Sequence, residues 1–307
     1  MKILYIAKHG QQDSADDEGA IAYALQQLGH EVFCATEDDT KHIRYHAPRT
    51  DLLLFHKWQD DACLRHCETK IKAFWYFDRV VGWHPKRWQW IERTIPLVDI
   101  GFCTDGDLVH DWGSSCTLEG DKNKLVWLPQ GADERIVGRG TPDPSQAVDV
   151  LCMAGTRFHG AQRQSFVRDL EEFCAAGGFS FRHVEEGVYR EQLRDLVASA
   201  KVVVAPDSPV SDRYCSNRIF NMLGFGAYLL HPRCEAVKKW YEETFEVSLY
   251  ENWEELKIKL TFVVTEHQGQ AFYRGLKEHA LARTLKDNLY RHRCERLTQV
   301  VQERCKA

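Results

Sequence analysis

The stretch VLCMAGTRFHGAQRQ, residues 150–164, carries the features that decide the fold. Its first four residues, 150–153, form a short apolar run of the kind that builds a buried strand. The run ends at Gly155, and Arg157 and Arg163 follow within a short polar segment. A buried strand that leads into a small-residue turn with two cations predicts a strand–turn–helix unit that holds an anion.

The rest of the chain repeats this alternation of apolar runs and amphipathic segments. Such repetition predicts parallel sheets with helices on both faces, which is an α/β fold. One segment, ADERIVGRGTPDPSQA at 132–147, breaks the pattern with Gly, Pro and Asp and predicts a linker. Before it we predict strands in KILYIA, EVFCAT, DLLLFHK, KAFWYFD, IGFCTD and KLVWLPQG, and after it in DVLCMAG, FSFRHV, KVVVAPD, AYLLHP and EVSLYE.

The linker divides the chain into two doubly wound, Rossmann-like domains. We predict the first domain over 1–135, the linker over 136–147 and the second domain over 148–265. Helices over 266–307 are predicted to pack back toward the first domain. Because ligands of such sheets bind beyond the carboxyl ends of the strands, we expect a ligand in a cleft between the domains.

Composition limits the classes of partner. A net charge of −5 over 307 residues leaves no global basic field, so a polyanion would have to meet a local patch. No apolar run approaches the roughly 20 residues of a membrane span. An odd count of eleven cysteines, with an N-terminus too soon polar for a signal peptide, predicts reduced thiols in a cytoplasm.

Neither a metal site nor a dinucleotide site is predicted. Cys63, His66 and Cys67 lie close in sequence, but no second pair completes a zinc spacing, so we interpret them as semi-buried helix residues. A divalent metal is possible but not required by the sequence. The absence of a Gly-x-Gly-x-x-Gly sequence disfavours NAD chemistry.

This layout resembles the GT-B glycosyltransferases over nearly the whole chain, and most specifically over 148–265. The resemblance implies a nucleotide-sugar donor, such as UDP-glucose or a related UDP-sugar, on the second domain, and no tightly bound cofactor. The stretches that carry it are MKILYIA with GAIAYALQQLGHEV, WLPQGADERIV, DVLCMAGTRFHGAQR and VVVAPDSPVSDRYCSNRIFNMLGFGAYLL.

Two branches of that superfamily are similar, the CgeB-like glycosyltransferases and the phage DNA β-glucosyltransferases. In the phage enzymes a Gly-Ser-Phe-Arg-Ser-Gly-Gln-Arg loop holds the UDP diphosphate with two arginines. The corresponding loop here is one residue longer. The resemblance implies diphosphate binding by Gly155, Thr156, Arg157 and Arg163. Guanidinium groups fit phosphate oxygens bidentately, although two surface arginines at a helix entrance would give the same pattern.

The helix in SNRIFNMLGFG is expected to complete the donor site. Ser216 and Asn217 can cap its N-terminus, and Arg218 would lie beside the phosphates. Asn221 stands where the family has a glutamate that binds the ribose hydroxyls, and an asparagine can still accept from one hydroxyl. Asp207 in the preceding loop would meet sugar hydroxyls or the acceptor, or simply be solvated.

Asp78 is the candidate catalytic base. Tyr76-Phe77-Asp78-Arg79 is similar to the segment that supplies the catalytic aspartate of the phage enzymes. An inverting transfer needs one carboxylate to take the proton of the acceptor hydroxyl. The Glu-x7-Glu pair of many retaining members is missing. The alternatives are a helix-capping role for this aspartate, or a base among Asp105, Asp107 and His9.

The acceptor is expected on the first domain. His9, Lys86, Arg87 and Trp88 are the predicted acceptor-binding residues, since WHPKRWQWIER interleaves cations with aromatic rings, as KHIRYHAPR does. Cations contact phosphate and aromatic rings stack on bases, which fits duplex DNA. The same pattern suits sugar or lipid-linked acceptors, or a half-buried helix surface.

We therefore predict a glycosyltransferase, inverting and with an aspartate base, that moves a sugar to hydroxymethylated pyrimidines of phage DNA. The alternatives are a CgeB-like enzyme acting on a glycan, protein or small molecule, a catalytically silent nucleotide-binding module, and a nucleotide-sugar epimerase. A monomer in the cytoplasm (the host's, if phage-encoded) with no membrane partner is expected.

Overall fold

A computed structural model describes residues 1–9, 17–56, 62–80, 85–109, 121–155, 160–185, 187–206, 211–266 and 269–306. The chain separates into two compact units, Met1–Glu134 with Tyr290–Ala307, and Arg135–Leu289. The helices that the sequence analysis grouped over 266–307 are thus divided between the units. The segment proposed as a linker belongs to the second unit from Arg135 onward.

The first unit contains a six-stranded parallel sheet in the order β2-β1-β3-β4-β5-β6. Its four central strands are buried almost throughout, which explains why they are near-continuous apolar runs, whereas the two edge strands are only partly buried. The strands are β1 Lys2–Ile6, β2 Glu31–Ala35, β3 Leu52–His56, β4 Ile71–Tyr76, β5 Ile100–Cys103 and β6 Leu125–Trp127. The helices are α1 Asp17–Gln27, α2 Thr40–His46, α3 Ala62–His66, α4 Pro85–Thr94 and, from the C-terminus, α11 Tyr290–Lys306.

The second unit contains a five-stranded parallel sheet in the order β11-β10-β9-β7-β8. Its strands are β7 Val148–Met153, β8 Phe181–Val184, β9 Ala200–Val204, β10 Leu229–Pro232 and β11 Ser248–Tyr250. Its helices are α5 Gly160–Ala176, α6 Arg190–Ala198, α7 Asn217–Gly224, α8 Glu235–Lys238, α9 Trp253–Thr265 and α10 Gly269–Asp287. The two parallel sheets with their helices confirm the predicted α/β fold class.

Glycines end the helices that lead back to strands. Gly29, Gly178 and Gly226 follow α1, α5 and α7 with φ of +80°, +70° and +75°. Side chains with a Cβ rarely adopt this left-handed conformation, so glycine is preferred where a helix must stop and turn. These stops keep each helix short enough to return the chain to the sheet.

The C-terminal helix α11 completes the core of the first unit. Four residues of α11 are fully buried, namely Tyr290, Cys294, Leu297 and Val301. They belong to a hydrophobic cluster that also contains Ile21 of α1 and side chains of the first sheet. The Tyr290 hydroxyl donates to Asp17 Oδ1 at 2.9 Å. The last 17 residues of the described chain therefore fold with its first half.

Segment 136–147 packs against α6 of the second unit. The Thr141 amide donates to Asp195 Oδ1 at 2.9 Å, and the Asp143 amide donates to the Ser199 hydroxyl at 2.8 Å. A Cβ on Gly140 would come within 2.4 Å of the Arg194 carbonyl oxygen, so only glycine fits there. The segment has few apolar residues and is held to the second unit by polar contacts.

Candidate active site

Two arginines meet the carboxyl edge of the second sheet. Arg163, in the first turn of α5, is only 4% exposed and donates from Nη1 to the Gly155 carbonyl at 3.1 Å. Arg218, the second residue of α7, donates from Nη1 to the Pro206 carbonyl at a long 3.5 Å. Gly155 and Pro206 follow β7 and β9, which are neighbours in the sheet.

Both guanidinium groups lie beyond the adjoining ends of β7 and β9, because Arg163 donates to Gly155 and Arg218 donates to Pro206. Burial raises the pKa of Cys152 in β7 to about 12, and the positive charges of Arg218 and Arg163 oppose that rise. Neither α5 nor α7 has an acidic residue in its first turn, so their positive ends add to this potential.

Ser216 occupies the N-cap position of α7 in extended conformation, but its side chain makes no capping hydrogen bond. The predicted hydroxyl cap is therefore not formed, and Asn217 is the first helical residue. The Ser216 carbonyl instead accepts from the Ile219 amide at 3.2 Å. The first turn of α7 is thus closed by the backbone.

Asn221 lies one turn beyond Arg218. Its Oδ1 atom is buried and has no hydrogen-bond partner in the described part of the chain. The surrounding helix residues are buried in the core, namely Ile219, Phe220, Met222 and Leu223. A buried acceptor without a donor costs about 1–3 kcal/mol, so this oxygen suits a donor from a ligand.

Three predicted donor-site residues, Thr156, Arg157 and Asp207, lie outside the described residues. Gly155 is half-buried, and a Cβ placed on it would meet no described atom within 4 Å. Close packing inside the protein is therefore not what requires a small residue there.

Asp78 lies two residues beyond the end of β4 and is half-buried. The two alternative aspartates are differently engaged. Asp105 is fully buried, and its carboxylate accepts from the amides of Val80 at 2.7 Å and Asp107 at 3.0 Å. Asp107 pairs with Arg79, with Oδ2 3.9 Å from Nη2. The Asp105 carboxylate is therefore engaged as a structural acceptor.

A buried histidine that contacts Phe77 was missed in the sequence analysis. His56 ends β3, is 2% exposed and has Nδ1 2.9 Å from the Tyr5 hydroxyl. Its ring lies 4.0 Å from the ring of Phe77, the residue before Asp78. The sequence signal that could have identified His56 is its position as a polar residue at the carboxyl end of a central strand, where ligands of parallel sheets bind.

The predicted acceptor residue His9 joins this group. Its Nε2 lies 3.2 Å from the Tyr5 carbonyl, and its ring meets the Tyr5 ring edge-on at 5.1 Å. Strands β1, β3 and β4 are neighbours, so their ends bring His9 and His56 to Tyr5 and bring Phe77 to His56. Two imidazoles and one carboxylate thus lie at the ends of three adjacent strands.

Lys86, Arg87 and Trp88 occupy the first turns of α4, and their side chains lie outside the described set. Trp90 is 5% exposed and packs near Phe55, Phe74 and Tyr76 as core. In the second cation–aromatic stretch, the Arg49 guanidinium lies 4.3 Å from the centre of the Tyr45 ring. The Arg49 charge is thus already engaged by a neighbouring ring four residues earlier in the chain.

Within the described residues, no group of three or more His, Cys, Asp or Glu side chains is arranged to hold a metal ion. Cys67 of the sequence cluster is buried, and the Cys63 side chain lies outside the description. No described helix is long and apolar enough to cross a membrane.

Comparison with known proteins gives a match to the C-terminal half of the chain. Residues 156–299 match a family model described as "Glycosyl transferase-like". No curated protein matches the sequence. Among solved structures, sucrose-phosphate synthase from Thermosynechococcus elongatus aligns with a TM-score of 0.66 at 11% identity, over 99% of this chain and 98% of that chain.

Two further structures align over 99% of this chain. Anabaena HepE, in complex with UDP and glucose, gives a TM-score of 0.64 at 11% identity over 100% of its length, and it has also been solved with UDP-glucose. A putative UDP-N-acetylglucosamine 2-epimerase from Listeria monocytogenes gives a TM-score of 0.59 at 12% identity over 96% of its length. The chain therefore has the GT-B fold, and residues 156–299 are similar to the glycosyl transferase-like family model.

Proposed function

We propose that the protein is a glycosyltransferase that binds a UDP-sugar at the carboxyl edge of the second sheet. The observation that carries the proposal is that Arg163 and Arg218 lie beyond the adjoining ends of β7 and β9, next to the N-terminus of α5. A diphosphate is a compact dianion that guanidinium forks and helix N-termini both stabilise. Thr156 and Arg157 would complete the loop.

Asn221 supports the nucleotide half of the donor. Its buried Oδ1 needs a hydrogen-bond donor, and a ribose hydroxyl supplies one. HepE binds UDP, glucose and UDP-glucose, so UDP-glucose is the first donor to test here. Asp207 would contact the sugar hydroxyls.

Asp78 is the proposed base of an inverting reaction. Its carboxylate takes the proton of the acceptor hydroxyl, whose oxygen then forms a bond to the anomeric carbon. The bond from that carbon to the β-phosphate oxygen breaks, and UDP leaves with its electron pair. Arg163 and Arg218 stabilise the negative charge that develops on the leaving group.

The proposed acceptor is a hydroxymethylated pyrimidine in duplex DNA, contacted by Lys86, Arg87, Trp88 and His9. Its support is the sequence pattern of α4 alone, so glycan, protein and small-molecule acceptors enter the same test. The second candidate function is a silent nucleotide-binding module. It is favoured by Asn221 in place of the family's glutamate.

The experiment is a mass spectrum of digested DNA, with free UDP assayed in the same tube. The protein is incubated with UDP-glucose and duplex DNA that contains 5-hydroxymethylcytosine, beside unmodified DNA. A nucleoside heavier by one hexose, only with modified DNA and lost in Asp78→Asn, supports donor, acceptor and base together. UDP release without modified DNA rejects the DNA acceptor but keeps the transferase. UDP binding without turnover on any acceptor favours the silent module.

A further inference from the structure

A cavity of about 230 Å³ lies in the second unit, away from the carboxyl ends of the strands near which Arg163 and Arg218 lie. It is lined by Lys201, Val263, Tyr273, Arg274 and Lys277. Lys201 is the second residue of β9, whereas Pro206 follows the other end of that strand. Five residues of extended chain span roughly 16 Å, so the cavity lies near the amino ends of the strands, whereas the arginines lie at the carboxyl ends.

The cavity carries an excess of positive charge. Lys201 is neutralised by Asp149, with Nζ 2.6 Å from Oδ1. Arg274 is exposed and Lys277 is half-buried, and neither has a carboxylate partner in the described part of the chain. Two cations therefore line the same small cavity, and the described residues supply no carboxylate partner to either.

The surroundings of Lys277 disfavour its positive charge. Burial lowers the pKa of Lys277, and the positive charge of Arg139 lowers it further. Arg139 itself pairs with Glu278, with Nη2 3.0 Å from Oε1. The negative charge of Glu266, which follows α9, contributes to the raised pKa of the neighbouring Tyr273. A bound anion would relieve the unfavourable charge on Lys277.

Tyr273 supplies an independent sign of a ligand. It is 6% exposed, and its hydroxyl is buried with no hydrogen-bond partner among the residues described. Its ring is held between Tyr228 at 4.6 Å and Phe262 at 5.9 Å. Burial raises the pKa of Tyr273, so the hydroxyl keeps its proton and is a donor.

We propose that this cavity is a second anion-binding site, which takes a phosphate monoester between Arg274, Lys277 and the Tyr273 hydroxyl. Two cations and one neutral donor match a phosphate dianion. The volume lies below the ~300–1,000 Å³ of most small-molecule sites, so a phosphate group fits better than a nucleotide. The phosphate belongs either to a soluble molecule or to a lipid headgroup, because Phe262 and Phe272 are half exposed nearby.

The test titrates the full chain with glycerol phosphate, and separately with phosphatidylcholine vesicles that contain or lack phosphatidic acid. Lys277→Met removes the charge at similar length, and Tyr273→Phe removes only the hydroxyl. Lys286→Met, an exposed lysine of the same helix, is the matched control. We expect Lys277→Met to weaken binding about tenfold or more and Tyr273→Phe to weaken it measurably, while the control and UDP affinity stay unchanged.

Loss of glycerol phosphate binding in the two variants supports a soluble ligand. Binding only to phosphatidic acid vesicles, lost in the same variants, supports a lipid headgroup. No binding of any probe, or equal binding by all variants, overturns the proposal. Should Lys277→Met fail to fold in a thermal melt, Arg274→Gln at an exposed position provides the charge test.

Discussion

Replacing Arg163 by methionine is the sharpest test of the donor site. The side chain is 4% exposed, and its Nη1 donates to the Gly155 carbonyl beyond the end of β7. Charge-assisted hydrogen bonds from a guanidinium to a diphosphate contribute about 1.5–3 kcal/mol each, so Arg163→Met should raise the Kd for UDP about 10-fold to 150-fold.

Isothermal titration calorimetry with UDP measures this change directly. Arg168→Met is the matched control, because Arg168 is an exposed arginine of the same helix. Arg163→Lys keeps the charge but loses the planar fork, so its Kd should fall between those of the wild type and of Arg163→Met. A thermal melt of each variant separates lost binding from lost folding.

The reasoning is refuted if folded Arg163→Met binds UDP as the wild type does. It is also refuted if Arg168→Met weakens binding as much, because the effect would then reflect general charge. Equal affinity of Arg163→Lys and the wild type would show that point charge alone matters there.

Three further outcomes are expected. Asp78→Asn should abolish sugar transfer by at least about 100-fold in kcat while UDP affinity stays unchanged, with the exposed Asp38→Asn as control, and retained turnover would move the base elsewhere. Leu297→Ala should cost about 2–5 kcal/mol in the free energy of unfolding by urea, because Leu297 is fully buried between α11 and the first sheet, and a loss below 1 kcal/mol would contradict that packing. Hydrogen bonds from Arg233 lower the pKa of Glu243. The stabilisation that ionised Glu243 gives the folded state is therefore complete above the ordinary glutamate pKa and is lost as the pH falls through the lowered pKa. Glu243→Gln should therefore reduce the difference in the free energy of unfolding between pH 7 and pH 3.

Local chemistry explains what the sequence could predict. The strands were readable because strands of a parallel sheet are buried on both faces and form apolar runs. Helix ends were readable because Gly29 and Gly178 adopt positive φ, where glycine is preferred. Arg163 was readable because it follows a strand and a turn of small residues.

Features that depend on distant contacts were not readable. The sequence predicted that the C-terminal helices pack toward the first domain but not that only α11 does so, because that division depends on Tyr290 and Leu297 packing against the opposite end of the chain. The pairing of His56 with Tyr5 joins residues 51 positions apart. Ser216 has the residue type of a cap, yet only the geometry reveals that its hydroxyl does not cap.

A crystal structure of the full chain with UDP tests the central claim most directly. The account predicts diphosphate oxygens about 3 Å from the guanidinium groups of Arg163 and Arg218, beyond the end of β7, and a ribose hydroxyl within hydrogen-bonding distance of Asn221 Oδ1. UDP bound at another place in the chain, with both arginines out of its reach, would contradict it.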